Sequence, residues 1–87
     1  MNKYNTLKLV GIAYEELRRA EELEQKYDRG YIHYSELAHQ RWLLSFIREL
    51  LKKADDTYRE CEEVKVQLLS TENHMIAKYN MKSTSLV

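Results

Sequence analysis

Between positions 35 and 54, Leu37, Leu43, Leu44, Ile47, Leu50, Leu51 and Ala54 recur at spacings of three and four. That period predicts a helix burying one broad face. Arg41, Arg48, Glu49 and Lys52 fill much of the opposite side, and the stretch holds the only tryptophan, Trp42, and the only phenylalanine, Phe46. A fully buried large side chain contributes roughly 1.5–3 kcal/mol, so this helix is expected to anchor the core. Trp42 and Phe46 are expected to pack on a preceding helix near Gly11.

That preceding helix is read from Leu7, Val10, Ala13 or Tyr14, Leu17, Ala20, Leu23 and Tyr27, which hold a phase close to 3.6. Its expected range is about 6–28. Asn5 or Thr6 serves as the cap, and Gly30 suits the left-handed position after the last turn. Ser35 is a suitable cap for the helix that follows. A connection this short makes the two helices antiparallel neighbours.

Beyond Ala54 the signals conflict. Lys52-Lys53 suits a helix C-terminus, Asp55-Asp56 suits an N-terminus, and Thr57 to Glu60 has capping-box spacing. Yet no glycine or proline interrupts the chain, and the apolar phase continues through Tyr58 and Cys61 to Leu68. The favoured reading is one continuous helix over 35–79. The fold is then all-α, an antiparallel hairpin with a long second helix dimerising into a bundle, within a single domain spanning 1–79. A compact three-helix bundle with a break near 55–57 is the alternative. In the favoured reading the overhang exposes Tyr58, Cys61, Val64, Leu68, Met75 and Ile76, the expected oligomer interface. Residues 80–87 read as a flexible tail.

Composition narrows the function classes. Fourteen basic and fourteen acidic residues cancel to a formal net charge of zero, so no global electrostatic footprint for nucleic acid or an anionic membrane exists. One cysteine, Cys61, cannot form an intramolecular disulfide. No signal-peptide pattern or long apolar run is present, and the expectation is a cytoplasmic protein.

Candidate chemistry is sparse. Glu36 and His39 have the Glu-x-x-His spacing of carboxylate-bridged di-metal bundles, which a dimer would duplicate, with Glu22 or Glu24 completing the set. The competing reading makes Glu36 a helix-dipole partner and His39 a surface residue, and no metal or other cofactor is expected. His33, His74 and Cys61 lack zinc-ligand spacing, and no nucleophile elbow or phosphate loop is present. Arg41, Arg48, Lys52 and Lys53 form a modest basic strip that acidic residues interrupt. Tyr27, Tyr31 and Tyr34 form a candidate partner-binding cluster, tyrosine being enriched at interfaces. The terminal Ser85-Leu86-Val87 fits a peptide captured at a sheet edge.

The expected function is that of a small non-enzymatic protein-protein interaction module, a regulator, inhibitor or assembly factor of bacterial or phage type. Its partners would be itself, as a homodimer or higher oligomer, and another protein. A dimeric metal-carboxylate bundle is the alternative, and a nucleic-acid-binding helical dimer ranks third.

Overall fold

In the computed structural model, which describes residues 3–54 and 58–82, the first helix, α1, runs Lys3–Asp28. Thr6, Ala13 and Ala20 recur every seven residues along it and are fully buried. Small side chains on that line let two other helices approach closely, because interaxial distance depends on the residues at the contact. The helix ends in a Schellman motif: Tyr31 N–H donates to the Lys26 carbonyl at 2.8 Å and Gly30 N–H to that of Tyr27 at 2.9 Å. Gly30 has φ 79°, the left-handed region that glycine enters without a Cβ penalty.

The second helix, α2, runs Tyr34–Lys53. Its cap is His33 rather than Ser35. His33 Nδ1 accepts the Ser35 N–H at 3.1 Å, and the Glu36 carboxylate accepts the His33 N–H at 3.2 Å. This reciprocal pair satisfies two donors that would otherwise face the helix end unpaired. Gln40 Nε2 then donates to the Glu16 carboxylate at 2.8 Å and to the Glu16 carbonyl at 3.1 Å, fixing the antiparallel register of α1 and α2.

The expected continuous helix over 35–79 is corrected. Helix α2 stops at Lys53, the Ala54 N–H closing onto the Leu50 carbonyl, and a third helix, α3, runs Arg59–Tyr79. Positions 55–57, where the alternative reading placed the break, lie outside the described residues. Helix α3 packs back on both α1 and α2. The physical reason lies in the stripe itself. Cys61, Val64, Leu68 and Met75 are fully buried within the single chain, Ile76 and Tyr58 are half-buried against the same core, and none is left as an open oligomer interface. Burying four such residues contributes several kcal/mol, at roughly 1.5–3 kcal/mol for each large one.

Asn80, at φ 55°, caps the C-terminus of α3 just beyond Tyr79. The Met81 N–H reaches back to the Ile76 carbonyl at 3.1 Å, and the Met81 side chain is buried in the core. The expected flexible tail over 80–87 is corrected at its start: Met81 is buried in the core and the Lys82 carbonyl accepts from Arg41, while 83–87 lie outside the described residues.

Leu37, Leu44 and Leu51 on α2 face Ala13 and Ala20 on α1 and Val64, Leu68 and Met75 on α3, all in one core. The molecule measures 41 × 23 × 16 Å, and α1 at about 1.5 Å per residue nearly spans its long axis. The described residues are all helix and connection, with no strand, and no helix among them is long and apolar enough to cross a membrane.

Candidate functional site

Helix α2 presents two unlike flanks. Setting Leu37 as the inward direction, 100° per residue puts Trp42 and Phe46 roughly opposite the line of Leu37, Leu44 and Leu51. They are not core residues against α1, as the sequence had suggested. Phe46 is 40% exposed and Trp42 half-buried, and Gly11, also exposed, has nothing within 4 Å of where a Cβ would lie. The rings form a ladder. His39 stacks on Trp42 with centroids 5.9 Å apart at 18°, and Trp42 on Phe46 at 5.3 Å and 12°. Offset stacking of this kind is worth about 0.5–1.5 kcal/mol beyond area burial, and it holds the three side chains as one ridge.

The ridge has an apolar margin. Leu43 and Leu50 are half-buried beside it. On α1, Arg19 and Leu23 border a shallow groove with Ser35, Glu36 and His39. Ile12, seven residues before Arg19, lies on that same flank of α1 and is 52% exposed. Exposed apolar residues gathered on one side of a small protein mark an interaction surface more often than scattered ones do.

The other flank of α2 is polar and closed. Glu72 of α3 is 4% exposed and accepts hydrogen bonds from Ser45 Oγ and, at 2.7 Å, from Arg48 Nε. Arg41, 6% exposed, reaches Ser45 Oγ at 3.4 Å and the Lys82 carbonyl at 3.2 Å. A buried carboxylate is tolerated when a cation and further donors fill its lone pairs, as Arg48 and Ser45 do here. The network joins α2, α3 and the segment after α3. Two cations of the expected basic strip are therefore drawn inward, Arg48 onto Glu72 and Arg41 onto Ser45 and the Lys82 carbonyl, leaving Lys52 and Lys53 exposed.

A third cluster closes the end where α1 meets α3. The Tyr79 hydroxyl lies 3.1 Å from the Glu24 carboxylate and 3.0 Å from that of Asp28, its one proton shared between the two acceptors. His74 Nε2 lies 2.8 Å from Glu24, and Lys78 Nζ donates to Asp28 at 3.0 Å. Burial pushes the Tyr79 phenol up to about 12, opposed by Lys78 and reinforced by the two carboxylates that need its proton. Asp28 is held below the ordinary carboxylate range by the Lys78 and Tyr79 hydrogen bonds, and Lys78 is raised by the same contacts. Every member is satisfied by another, which describes a clasp between helices. Along the same seam a shallow groove of about 600 Å³ runs past Leu17, Gln67 and Thr71, with mixed charge from Arg18 and Glu21.

Of the three tyrosines expected to gather for a partner, Tyr27 and Tyr34 meet edge-on at 6.1 Å, and Tyr27 also meets Tyr79 at 5.4 Å. Tyr31 stands apart at 73% exposure. Glu36 and His39 serve separate tasks, the first in the helix cap and the second in the ring ladder. Among the described residues no group of three or more His, Cys, Asp and Glu side chains converges as a metal site would require. Ser85, Leu86 and Val87 lie outside the described residues.

Sequence reasoning missed the Arg41–Ser45–Glu72 network, although Ser45 lies four residues after Arg41 and Glu72 interrupts an apolar stripe. Polar residues matched across two apolar faces were the available signal. Comparison with protein-family models, with curated proteins and with solved structures finds no match for this chain.

Proposed function

We propose that this chain is a small non-enzymatic protein-interaction module, a regulator, inhibitor or assembly factor that associates with itself and with another protein. One observation carries the reading: Trp42 and Phe46, the chain's largest apolar rings, form a stacked ridge on the outer side of α2 rather than entering the core. Tryptophan is the residue most enriched at binding hot spots, where a rigid ring buries a large area at small entropic cost. Leaving Phe46 exposed and Trp42 only partly covered forgoes burial that the fold could otherwise use, and a partner restores it. The titratable clusters support the same view, because their members are engaged with one another as helix ties.

The test is a binding comparison in extracts of the native host, using the wild type, Trp42→Ala and Phe46→Asp. A protein retained by the wild type and lost, at least tenfold, with both folded variants supports the reading. Identical retention by all three contradicts it.

A further inference from the structure

The ridge has a heptad of its own. Ser35, His39, Trp42, Phe46, Glu49 and Lys53 recur at spacings of four and three along α2, the spacing that keeps one seam of a helix against a partner helix. The seam is apolar at its centre and polar at both ends. Ser35, His39, Phe46 and Lys53 are exposed, while Trp42 and Glu49 are half-buried.

The charges along it are self-complementary in one orientation only. Glu36 flanks the N-terminal end, and Lys52 and Lys53 occupy the C-terminal end. Place two copies of α2 antiparallel, with the two-fold axis midway between Trp42 and Phe46. Trp42 then meets the partner's Phe46, and His39 meets the partner's Glu49. The Ser35–Glu36 end meets the partner's Lys52 and the partner's Lys53, and the two helix dipoles oppose. In a parallel pair, by contrast, Glu49 meets the partner's Glu49 and Lys53 meets the partner's Lys53. Opposed charges at the rim of an interface fix orientation and register, and like charges exclude the wrong arrangement.

From this we infer that the occupant of the ridge is a second copy of the same chain, docked antiparallel along α2 in an isologous contact. The inference rests on the interaction-surface reading and names the partner for it. The four rings of two Trp42–Phe46 pairs form the centre of the contact, and Ile12 and Leu43 border it.

Two measurements on the full chain test it. Sedimentation from about 1 to 200 µM, the range in which small helical interfaces exchange, is expected to show a concentration-dependent dimer. Phe46→Asp is expected to stay monomeric throughout with unchanged helical circular dichroism, and Trp42→Ala to weaken the dimer tenfold or more. For orientation, a His39→Cys chain is mixed with a Glu49→Cys chain under mild oxidation. The antiparallel seam joins the two variants severalfold more efficiently than either variant joins itself; Cys61 is buried and takes no part. Preferential joining of each variant to itself overturns the antiparallel seam. A wild type that remains monomeric overturns the second copy as occupant, while the host-extract comparison still decides whether the ridge binds another protein. A wild-type dimer unaffected by Phe46→Asp and Trp42→Ala places the contact elsewhere and overturns the seam.

Discussion

The two flanks of α2 reverse the usual allotment of residues. On one, Ser45 and Arg48 hold the carboxylate of Glu72 between helices, and Arg41 backs Ser45. On the other, Trp42 and Phe46 stand half in water. Hydrophobicity alone would exchange them. The difference teaches that burial along α2 is set by where α1 and α3 lie, and that each flank has a separate task. A buried ion pair seldom adds net stability over an apolar pair of the same shape, but a broken one is expensive, so it penalises wrong registers strongly. The inner flank thus specifies how α3 docks, and the outer one leaves a sticky ridge available.

The largest effect is expected at the inner flank. Glu72→Ala leaves Arg48 without its buried counter-charge and Ser45 without its acceptor, and should lower unfolding free energy by about 3–5 kcal/mol. Replacing Ser45, Arg48 and Glu72 together with apolar residues of similar volume should recover most of that loss. Chemical denaturation of both variants checks the pair. A single Glu72→Ala loss below about 1 kcal/mol would mean that the network is not closed in solution.

Next comes a contrast between neighbours two residues apart. Leu44→Ala should cost about 2–5 kcal/mol, as a fully buried leucine does, whereas Phe46→Ala should cost less than about 1 kcal/mol when measured at concentrations where single chains predominate. Equal losses in thermal melts would place Phe46 in the core after all.

At the clasp between α1 and α3, Tyr79→Phe should cost about 1 kcal/mol at neutral pH, the scale of hydrogen bonds to partly exposed carboxylates. The phenol's folded value is raised, from the usual 10 to about 12. Its contribution is therefore fully present below pH 10 and is lost as pH rises from about 10 towards 12. Denaturation of wild type and Tyr79→Phe should differ at pH 8 and converge near the upper end of that window. A phenolate titration should also show a Tyr79 step, absent in Tyr79→Phe, well above the usual 10. The smallest effect is a gain. Gly11→Ala, at a helical position with open space around the new methyl group, should stabilise the chain by about 0.5–1 kcal/mol.

The first helix was readable from its residues because one face is apolar, one is charged, and Gly30 marks its end. The second could not be phased in the same way. Leu43, Leu50, Trp42 and Phe46 make nearly every side of it apolar somewhere, so periodicity alone left the inward direction undecided, and Arg41 was assigned to solvent. That direction is settled by α3, and between α2 and α3 the sequence has neither a glycine nor a proline to announce a turn. The charge signal at Lys52-Lys53 and Asp55-Asp56 pointed to the break, and the unbroken apolar phase concealed it. For the same reason Cys61, Val64, Leu68 and Met75 read as an open stripe until a neighbour within the same chain was placed over them. The ridge became visible as a site only once the core no longer needed its rings.

Trp42 is the chain's single tryptophan and lies at the centre of the ridge, so its emission reports on that surface directly. The decisive measurement follows Trp42 fluorescence and its quenching by iodide as the protein is diluted from about 200 to 1 µM, across the range expected for a small helical interface. The emission should shift to the red and become several times more quenchable on dilution while helical circular dichroism stays constant, and Phe46→Asp should show the dilute behaviour at every concentration. A blue-shifted, quencher-protected Trp42 that is indifferent to dilution and to Phe46→Asp would return the ring to the core and contradict the account.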